Sequence, residues 1–583
     1  MSALFLPATR AEMAARGWDA LDVILVTGDA YIDSPFMGVA VIGRVLVQHG
    51  FRVGVIAQPA MDSAADLTRL GEPRLFWGVT GGSIDSMVAN RTASGLRRKA
   101  DDYTPGGRND RRPDRAVIAY ANLIRRCCKQ TAPIVLGGIE ASLRRIAHYD
   151  AWDNRVRRSI LFDAKADYLL YGMAERSVVE LARALAAGES PTAIRGLCHI
   201  AAEPPAGALV LPAYAEAAAD RERFIAMFRT FYAHCDPVTA KPLAQRQDTR
   251  FLVHNPPQPP LSAAELDAVH DLDFTRDLHP LDRKLGPVRA LDTIRFALTT
   301  HRGCYGECNF CAIAVHQGRT VQSRSPASIV REAERIAAHP EFRGTLTDVG
   351  GPTANMYGFE CRRKATKGAC ADKRCLYPAV CPGLRVDHGP LLDLLRRLRQ
   401  VPGVRKVVVA SGIRHDLILA DRRHGLAYLR EVVRHHVSGQ MKLAPEHSSP
   451  AVLAAMGKPP VDDLLAFRQL FNRLTREEGL DQYLTYYLIA AHPGCTQADM
   501  EALRAFCRRE LHLLPRQVQL FTPTPCTWST LMYWTGTDPF TGADCFVERS
   551  PTGREQQKAT LTGDAPRKPS APADGRGRRR QRK

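Results

Sequence analysis

Six apolar, β-prone runs separated by helical stretches occupy residues 290 to 545, and this alternation limits the fold more than any other feature. The runs lie at residues 293–299, 345–349, 406–410, 439–443, 483–489 and 517–521. Strands that alternate with helices predict a parallel sheet. Six such units suit a partial, open (β/α)6 relative of the eight-fold βα barrel, whose chemistry gathers at the carboxyl ends of the strands.

The first 200 residues predict a second α/β unit, a doubly wound sheet of the flavodoxin or cobalamin-binding kind. Buried-strand runs at 21–27 and 51–57 flank a helical stretch at 39–49, which is a βαβ unit. Further strands are predicted at residues 75–80, 116–120, 133–136 and 166–171. Several end in glycine, either to admit a ligand at the carboxyl edge of the sheet or only to make a tight turn.

The remaining segments complete the predicted organisation. Residues 201–290 are a Pro-rich bridging region between the amino-terminal domain at 1–200 and the barrel at 291–548. A Cys-rich insertion at 356–385 interrupts the barrel. The tail at 549–583 is rich in basic residues, proline and glycine, so we expect it to be disordered.

Three cysteines directly follow the first predicted barrel strand. Cys304, Cys308 and Cys311 have the spacing C-x3-C-x2-C, and Gly303 and Gly306 allow the loop to fold tightly around a ligand. Three thiolates can hold three irons of a [4Fe–4S] cluster and leave the fourth iron open. Structural zinc and plain core cysteines are the alternatives.

This triplet resembles the signature of the radical S-adenosylmethionine (SAM) superfamily. The resemblance implies that SAM binds the open iron and that one electron cleaves it to a 5′-deoxyadenosyl radical, with an electron donor of flavodoxin or ferredoxin type. It also implies that Gly350 and Gly351 lie against SAM, where side chains would block close approach. Ser411 and Arg414 could meet its ribose and carboxylate.

A second cysteine group lies in the insertion. Cys361, Cys370, Cys375 and Cys381 are spaced C-x8-C-x4-C-x5-C, with basic residues around them. Four cysteines in so short a loop suit one metal site, either zinc or an auxiliary iron–sulfur cluster. Free or redox-active thiols are the alternative, because the spacing matches neither metal pattern closely.

Two further groups follow the later strands. Lys442 and Glu446 lie after the fourth strand, where they could serve the site or form a structural ion pair. Cys495 follows the fifth strand and could deliver a hydrogen atom to a radical, whereas simple core packing is the alternative.

Several longer stretches resemble one group, the YgiQ-type radical SAM proteins. They are residues 101–108, 137–145, 255–257 and 444–447, and the likeness covers about residues 20 to 545. It implies a [4Fe–4S] cluster and SAM but names no substrate. The amino-terminal sheet also looks like a cobalamin-binding domain, yet nothing matches the D-x-H-x-x-G motif and His148 has a different setting. Cobalamin is therefore not expected.

The formal net charge of +19 bears on which partners the protein could bind. Residues 564–583 contain eight Lys/Arg and two Asp, so this segment either contacts nucleic acid or only keeps the chain soluble. No apolar run approaches the roughly 20 residues of a membrane span, and the start does not resemble a signal peptide. We expect a cytoplasmic protein without a membrane partner.

These features predict a radical SAM enzyme that acts on an unknown substrate. An RNA-modifying enzyme of the methylthiotransferase kind is one alternative. A non-enzymatic, metal-stabilised nucleic-acid-binding protein is another, although structural metal sites usually close with four protein ligands and the triplet has three.

Overall fold

Five parallel strands form one side of the amino-terminal sheet, including an edge strand, in the computed structural model, which describes residues 4–371 and 373–563. Counted along the chain, they lie side by side in the order second, first, third, fourth, fifth. Starting from the edge strand and moving into the sheet, their bounds are Val53–Ala57, Val23–Thr27, Phe76–Thr80, Ile134–Gly137 and Tyr168–Leu170. The strand order reverses between the first and third strands, and sheets of this kind bind ligands in the crevice at that point.

Helices cover both faces of this sheet because its strands are apolar on both sides. One face packs against Gly38–Gln48 and Glu175–Ala186 in a shared apolar core. The opposite face packs against Ala116–Cys127 and, farther along the sheet, Arg221–Ala233. Two apolar layers therefore hold the carboxyl ends of the strands in fixed positions.

The strand predicted at residues 116–120 is wrong, because these residues begin the helix Ala116–Cys127. The run Ala-Val-Ile-Ala-Tyr is apolar and β-prone, and five residues are too few to separate a strand from a buried helix. The whole helix shows the spacing of three and four that buries one face. That face consists of Val117, Tyr120, Ala121, Leu123 and Ile124.

The sheet continues past residue 200, so the boundary predicted there does not mark its end. Leu197–Ala201 runs antiparallel to the fifth strand. Three more strands complete the nine-stranded sheet, and they are Arg250–His254, Leu243–Gln247 and Leu209–Leu211. The pattern of Leu243–Gln247 did not indicate a strand because it buries a polar residue, Gln245, whose Oε1 accepts a hydrogen bond from the Ala147 N–H at 3.0 Å.

The second half of the chain contains six parallel segments in sequence order, which we call the C-terminal array. Each segment pairs with the next along the chain, from Ala297–Thr299 to Gln519–Leu520. The strands are Ala297–Thr299, Thr345–Leu346 with Asp348–Gly350, Lys406–Val407, Gln440–Glu446, Tyr483–Ala490 and Gln519–Leu520. Residues 293–294, predicted as strand, instead end the helix Arg289–Ile294.

A helix follows each of the first five segments and packs on the array. These helices are Pro326–Ala337, Gly389–Arg399, Gly425–His435, Asp462–Glu477 and Gln497–Phe506. Each presents an apolar stripe to one continuous core. All six segments consequently direct their carboxyl ends to the same side of the array.

Shorter elements connect these units. The helices are Arg10–Ala14, Ala65–Thr68, Ser86–Asn90, Gly138–Ser142, Ile160–Asp163, Tyr214–Ala219, Ala263–His270, Pro280–Arg283, Ile313–His316, Arg362–Lys367, His415–Ala420, Pro450–Met456 and Trp528–Thr535, with a 3-10 turn at Pro105–Gly107 and a π turn at Cys507–Leu511. The remaining strands pair as His148–Asp150 with Arg155–Arg157, Ile32–Asp33 with Asp277–Leu278, and His301–Arg302 with Gln322–Ser323.

The tail predicted to be disordered from residue 549 begins with the helix Pro551–Thr562. Gln557 fixes this helix because its amide accepts from the Ala491 N–H at 2.9 Å and donates to the Cys495 carbonyl at 3.0 Å. Leu561 is fully buried in the core of the array. The basic segment from 564 onward lies outside the described residues.

Among the described residues, no helix combines the length and the apolar character that a membrane crossing requires.

Candidate functional site

The cysteine triplet lies on a loop that leaves the first strand of the array. The short pairing of His301–Arg302 with Gln322–Ser323 closes the base of this loop. Gly303 has a φ of +77°, and a Cβ there would lie 2.1 Å from the Thr320 carbonyl oxygen. Only glycine therefore fits at the turn into the triplet.

Two sulfurs of the triplet, those of Cys304 and Cys308, lie close to Gly306. A side chain at this position would begin 3.2 Å from the Cys304 Sγ and 3.7 Å from the Cys308 Sγ. The Gly306 N–H donates to the Cys304 Sγ at 3.3 Å. Burial, with the neighbouring Cys308 thiol, raises the pKa of Cys311 to about 12, and the same causes raise the pKa of Cys304. Without a metal the Cys304 and Cys311 thiols would stay protonated, and a bound cationic metal would favour their thiolates.

The spacing of the sulfurs bears on which metal they fit. A tetrahedral zinc with bonds of about 2.3 Å would hold its sulfurs about 3.8 Å apart. Across residues 4–371 and 373–563, no three cysteine sulfurs lie within 4.8 Å of one another. A donor set of three thiols is one short of a closed zinc site, and it fits an iron–sulfur cluster with one open iron.

Arg414 lies against this loop. A Cβ on Gly306 would be 3.5 Å from its Nη1, so the guanidinium sits beside the triplet. Its Nε donates to the Asp416 Oδ1 at 2.8 Å. Burial alone would raise the pKa of Asp416, but the Arg414 charge lowers it to about 2. The guanidinium is thus already paired with a carboxylate of this chain.

Gly350 and Gly351 end the second strand of the array. A Cβ on Gly351 would lie 2.6 Å from both the Nε2 and the carbonyl oxygen of His301, which is the residue at the base of the triplet loop. A Cβ on Gly350 would be 3.2 Å from the Ala354 Cα. The two glycines therefore allow the second strand to lie directly against the triplet loop.

Ser411 follows the third segment and is held by Asp348. The Ser411 hydroxyl donates to one Asp348 carboxylate oxygen, and the N–H groups of Ala410 and Ser411 donate to the other at 2.8 and 3.2 Å. Asp348 thereby fixes the turn after the third segment. Both side chains border the cavity described next.

A cavity of about 450 Å³ lies between the two halves of the chain. On one side it is lined by the carboxyl edge of the amino-terminal sheet at the switch point, including Thr27, Gly82 and Gly138. On the other side it is lined by the array, including Gly351 and Ser411. Its size is that of an ordinary small-molecule site.

Most of the cavity wall is apolar, and one buried ion pair joins its two sides. Arg302, next to the triplet, donates to the Glu175 carboxylate at the start of the helix Glu175–Ala186. Both side chains are about 5% exposed and line the cavity. The second carboxylate oxygen of Glu175 is buried and has no hydrogen-bond partner among the described residues. A hydrogen-bond donor on a bound molecule would satisfy it.

Three members of the second cysteine group pack together, and the fourth does not join them. Cys361, Cys375 and Cys381 share an apolar cluster with Tyr305, which lies in the triplet loop. Cys370 is half-buried and is not part of that cluster. Cys304 of the triplet packs on the same cluster, so the two cysteine groups are neighbours.

The suggested pairing of Lys442 with Glu446 is wrong. Glu446 lies 3.9 Å from the Lys458 ammonium instead, because the strand Gln440–Glu446 places the two predicted partners four residues apart on an extended backbone. Cys495 is fully buried beside His447, with its Sγ 3.6 Å from the Nε2, and it does not line the cavity.

Asn355 and Asp348 are site residues that the sequence did not single out. Asn355 accepts from the Arg414 N–H and donates to the Arg414 carbonyl, both at 2.9 Å. Neither residue belongs to a spaced motif. Their only signal in the sequence is proximity to the Gly350–Gly351 pair.

Comparison with known sequences gives full-length relatives. Residues 5–297 match the family described as Radical SAM N-terminal. A UPF0313 protein of Fusobacterium nucleatum is 53% identical over 96% of this chain and 98% of its own length. UPF0313 proteins of Thermotoga maritima and Methanocella arvoryzae are 50% and 47% identical, covering 96% and 95% of this chain and 98% and 92% of theirs.

Solved structures with a similar fold are more distant. The methyltransferase TsrM of Kitasatospora setae, with cobalamin and a [4Fe–4S] cluster bound, aligns at 16% identity and a TM-score of 0.48, covering 87% of this chain and 74% of that one. The cobalamin-dependent enzyme OxsB, with aqua-cobalamin bound, aligns at 11% and 0.49, covering 88% and 55%.

Both titles name cobalamin, which contradicts the expectation that cobalamin is not bound. A D-x-H-x-x-G motif would supply one ligand to cobalt. The chain lacks that motif, but the cavity at the switch point is present without it.

The relatives and the family match confirm the resemblance to the YgiQ-type proteins. The chain belongs to the UPF0313 family and, with it, to the radical SAM class of enzymes.

Proposed function

We propose that this protein binds a [4Fe–4S] cluster through Cys304, Cys308 and Cys311 and uses SAM to generate a 5′-deoxyadenosyl radical that acts on a substrate in the cavity. The observation that carries the proposal is that the triplet loop, the Gly350–Gly351 turn and Ser411 lie together at the carboxyl ends of neighbouring array segments. When bound, the cluster would supply the electron for cleavage of SAM.

The chain's own residues would position SAM and shield it from water. Gly350 and Gly351 leave the backbone open to close approach. Asp348 and Ser411 present a carboxylate and a hydroxyl at the cavity wall, which are partners for ribose hydroxyls. Arg414 is paired with Asp416, so its role is to offset the negative charge of the thiolate ligands beside it.

The substrate would occupy the part of the cavity lined by the amino-terminal sheet. That wall is mainly apolar, and Glu175 offers one unsatisfied carboxylate oxygen. A substrate with an apolar body and at least one hydrogen-bond donor matches it. A flavodoxin- or ferredoxin-type protein would deliver the electron, and dithionite replaces it in the assays.

The experiment is product formation by protein reconstituted anaerobically with iron and sulfide. With SAM and dithionite present, we expect 5′-deoxyadenosine in the wild type and none in a Cys304→Ala, Cys308→Ala, Cys311→Ala variant. Cys127→Ala is the control, because that half-buried cysteine ends the helix Ala116–Cys127 of the amino-terminal domain and not the triplet loop. Intact SAM in the reconstituted wild type would contradict the proposal and favour a metal-stabilised binding protein.

Cobalamin is a second candidate occupant of the same cavity. The observation that favours it is the location of the cavity at the switch point of the amino-terminal sheet, with Gly82 and Gly138 at the strand ends. We expect the protein to retain hydroxocobalamin through gel filtration, seen by visible absorption. Gly82→Leu would abolish retention, because a Cβ there already lies 2.2 Å from the Asp29 carboxylate. A wild type that emerges free of corrin would leave the cavity to substrate alone.

A further inference from the structure

The cysteine-rich insertion is a long loop with little structure of its own. Its base is closed where Glu360 and Arg385 pair, with the Arg385 N–H donating to the Glu360 carbonyl at 2.8 Å. Between them, its regular secondary structure among the described residues is the helix Arg362–Lys367. Loops of this length inside a compact domain usually have a function or are held by a covalent or metal link.

Three of its cysteines are gathered on one side. Cys361 caps the start of the helix, and the Cys381 N–H donates to the Cys375 carbonyl at 2.8 Å. All three pack on the apolar cluster that contains Tyr305 of the triplet loop. Among the described residues, the sulfurs of Cys361 and Cys381 have no hydrogen-bond partner. Hydrogen bonding to these two sulfurs therefore does not explain why the thiols lie together.

A buried lysine accompanies the group. Lys364 is 4% exposed, and its ammonium lies 3.8 Å from the Cys375 Sγ. It is held by the Glu307 carboxylate at 2.8 Å, and Glu307 lies between two cysteines of the triplet. A cation held beside a sulfur is the arrangement that offsets the charge of a thiolate-ligated metal centre.

The insertion also docks directly on the triplet loop. The Arg374 Nη1 donates to the Glu307 carbonyl at 3.1 Å, and the Lys364 ammonium lies 5.3 Å from the centre of the Tyr305 ring. Glu307 has a φ of +47°, a conformation that these contacts help to maintain. A metal centre in the insertion would therefore lie next to the proposed SAM-binding cluster.

We propose that Cys361, Cys375 and Cys381, with Cys370 as the fourth ligand, bind a second iron–sulfur cluster. Four cysteines make a closed site, in contrast to the open site of the triplet. Cys370 follows Ala369, whose N–H donates to the Asp236 carboxylate at 2.9 Å, so the segment that bears it is tied to the amino-terminal half. Zinc is the competing metal for four thiolates, and the metal count below separates it from a cluster.

The test counts metals in the full-length chain after anaerobic reconstitution. We expect more than about four irons per chain in the wild type, with about four remaining in a Cys361→Ser, Cys375→Ser variant. The variant with all three triplet cysteines changed to alanine should keep only the irons of the second group. Loss of the triplet iron would thus test the proposed function, and loss of the excess iron would test this inference.

Electron paramagnetic resonance supplies a readout that does not depend on activity. In the triplet variant, the reduced protein should retain a cluster signal that SAM does not change, because a closed site has no open iron. Cys370→Ser alone should weaken that signal, whereas Cys127→Ser should not. Circular dichroism checks that each variant is folded.

Two results would overturn the proposal. One is about four irons in the wild type with no change in the Cys361→Ser, Cys375→Ser variant. The other is one zinc per chain that this variant loses.

Discussion

The amide of Asn355 forms two hydrogen bonds with the backbone of Arg414, accepting from its N–H and donating to its carbonyl, both at 2.9 Å. Asn355 is fully buried, and Arg414 lies beside the sulfurs of the triplet. The segment after the second strand thereby fixes the segment after the third. His388 extends this contact, since its Nε2 lies 3.2 Å from the Asn355 Nδ2 and its Nδ1 lies 2.9 Å from Asp421.

Asn355→Ala should destabilise the protein and weaken SAM binding. It leaves a buried N–H and a buried carbonyl without partners, which costs about 1–3 kcal/mol for each group. Thermal unfolding and equilibrium dialysis with SAM measure the two effects. Asn355→Asp is the comparison, because it keeps the acceptor for the Arg414 N–H and loses only the donor. Equal SAM affinity in wild type and Asn355→Ala would contradict this role.

Gly351→Ala should abolish SAM binding, because the new Cβ would lie 2.6 Å from His301, closer than real contacts allow. Gly412→Ala is a matched control, since nothing lies within 4 Å of its Cβ position. The measurement is the SAM dissociation constant of each reconstituted variant. If both variants bind SAM like the wild type, the Gly350–Gly351 turn is not part of the SAM site.

The Arg302–Glu175 ion pair should be energetically coupled. Glu175→Gln removes the charge that compensates a buried guanidinium, and breaking such a pair costs about 3–5 kcal/mol. Replacing both residues, as Glu175→Gln with Arg302→Met, should cost less than the sum of the single changes. Urea unfolding of the wild type, the two single variants and the double variant gives the coupling free energy. If the free-energy changes of the two single variants add up to that of the double variant, the two residues are not coupled. The pair would then not join the two halves of the chain.

Stability should fall as the pH drops from about 6.5 to about 4. Burial lowers the pKa of His436 to about 4, against about 6.5 when unfolded. Between these values the unfolded chain binds the proton and the folded chain does not, so the free energy of unfolding rises with pH across this window. His436→Gln should make the dependence shallower. An unchanged slope in urea titrations at pH 4.5, 5.5 and 6.5 would contradict this assignment.

Local patterns in the sequence predicted part of this molecule. The triplet, the Gly350–Gly351 pair and the six array segments were visible because each depends on a few adjacent residues. The sheet strands beyond residue 200 were not, since Gln245 is buried through hydrogen bonds rather than through apolar character. A polar strand of this kind cannot be distinguished from a loop by its hydrophobic pattern.

Hydrogen bonds and ion pairs between side chains far apart in the sequence were the other feature that the sequence could not predict. The pairing of Asp348 with Ser411 joins residues 63 positions apart, and that of Glu175 with Arg302 joins residues 127 apart. Asp416, two residues later, holds the guanidinium of Arg414, and the contact of Arg414 with SAM stays a prediction. Charge complementarity could have suggested that nearby pairing, whereas the distant ones follow only from the fold.

The central claim is that the triplet holds a cluster with one iron open to SAM. The most direct test is the electron paramagnetic resonance spectrum of the dithionite-reduced protein, recorded with and without saturating SAM. Cys361→Ser, Cys375→Ser protein is used alongside the wild type, so that the signal of the triplet is observed alone. We predict that SAM shifts the spectrum in both proteins. Identical spectra with and without SAM would contradict an open iron at Cys304, Cys308 and Cys311.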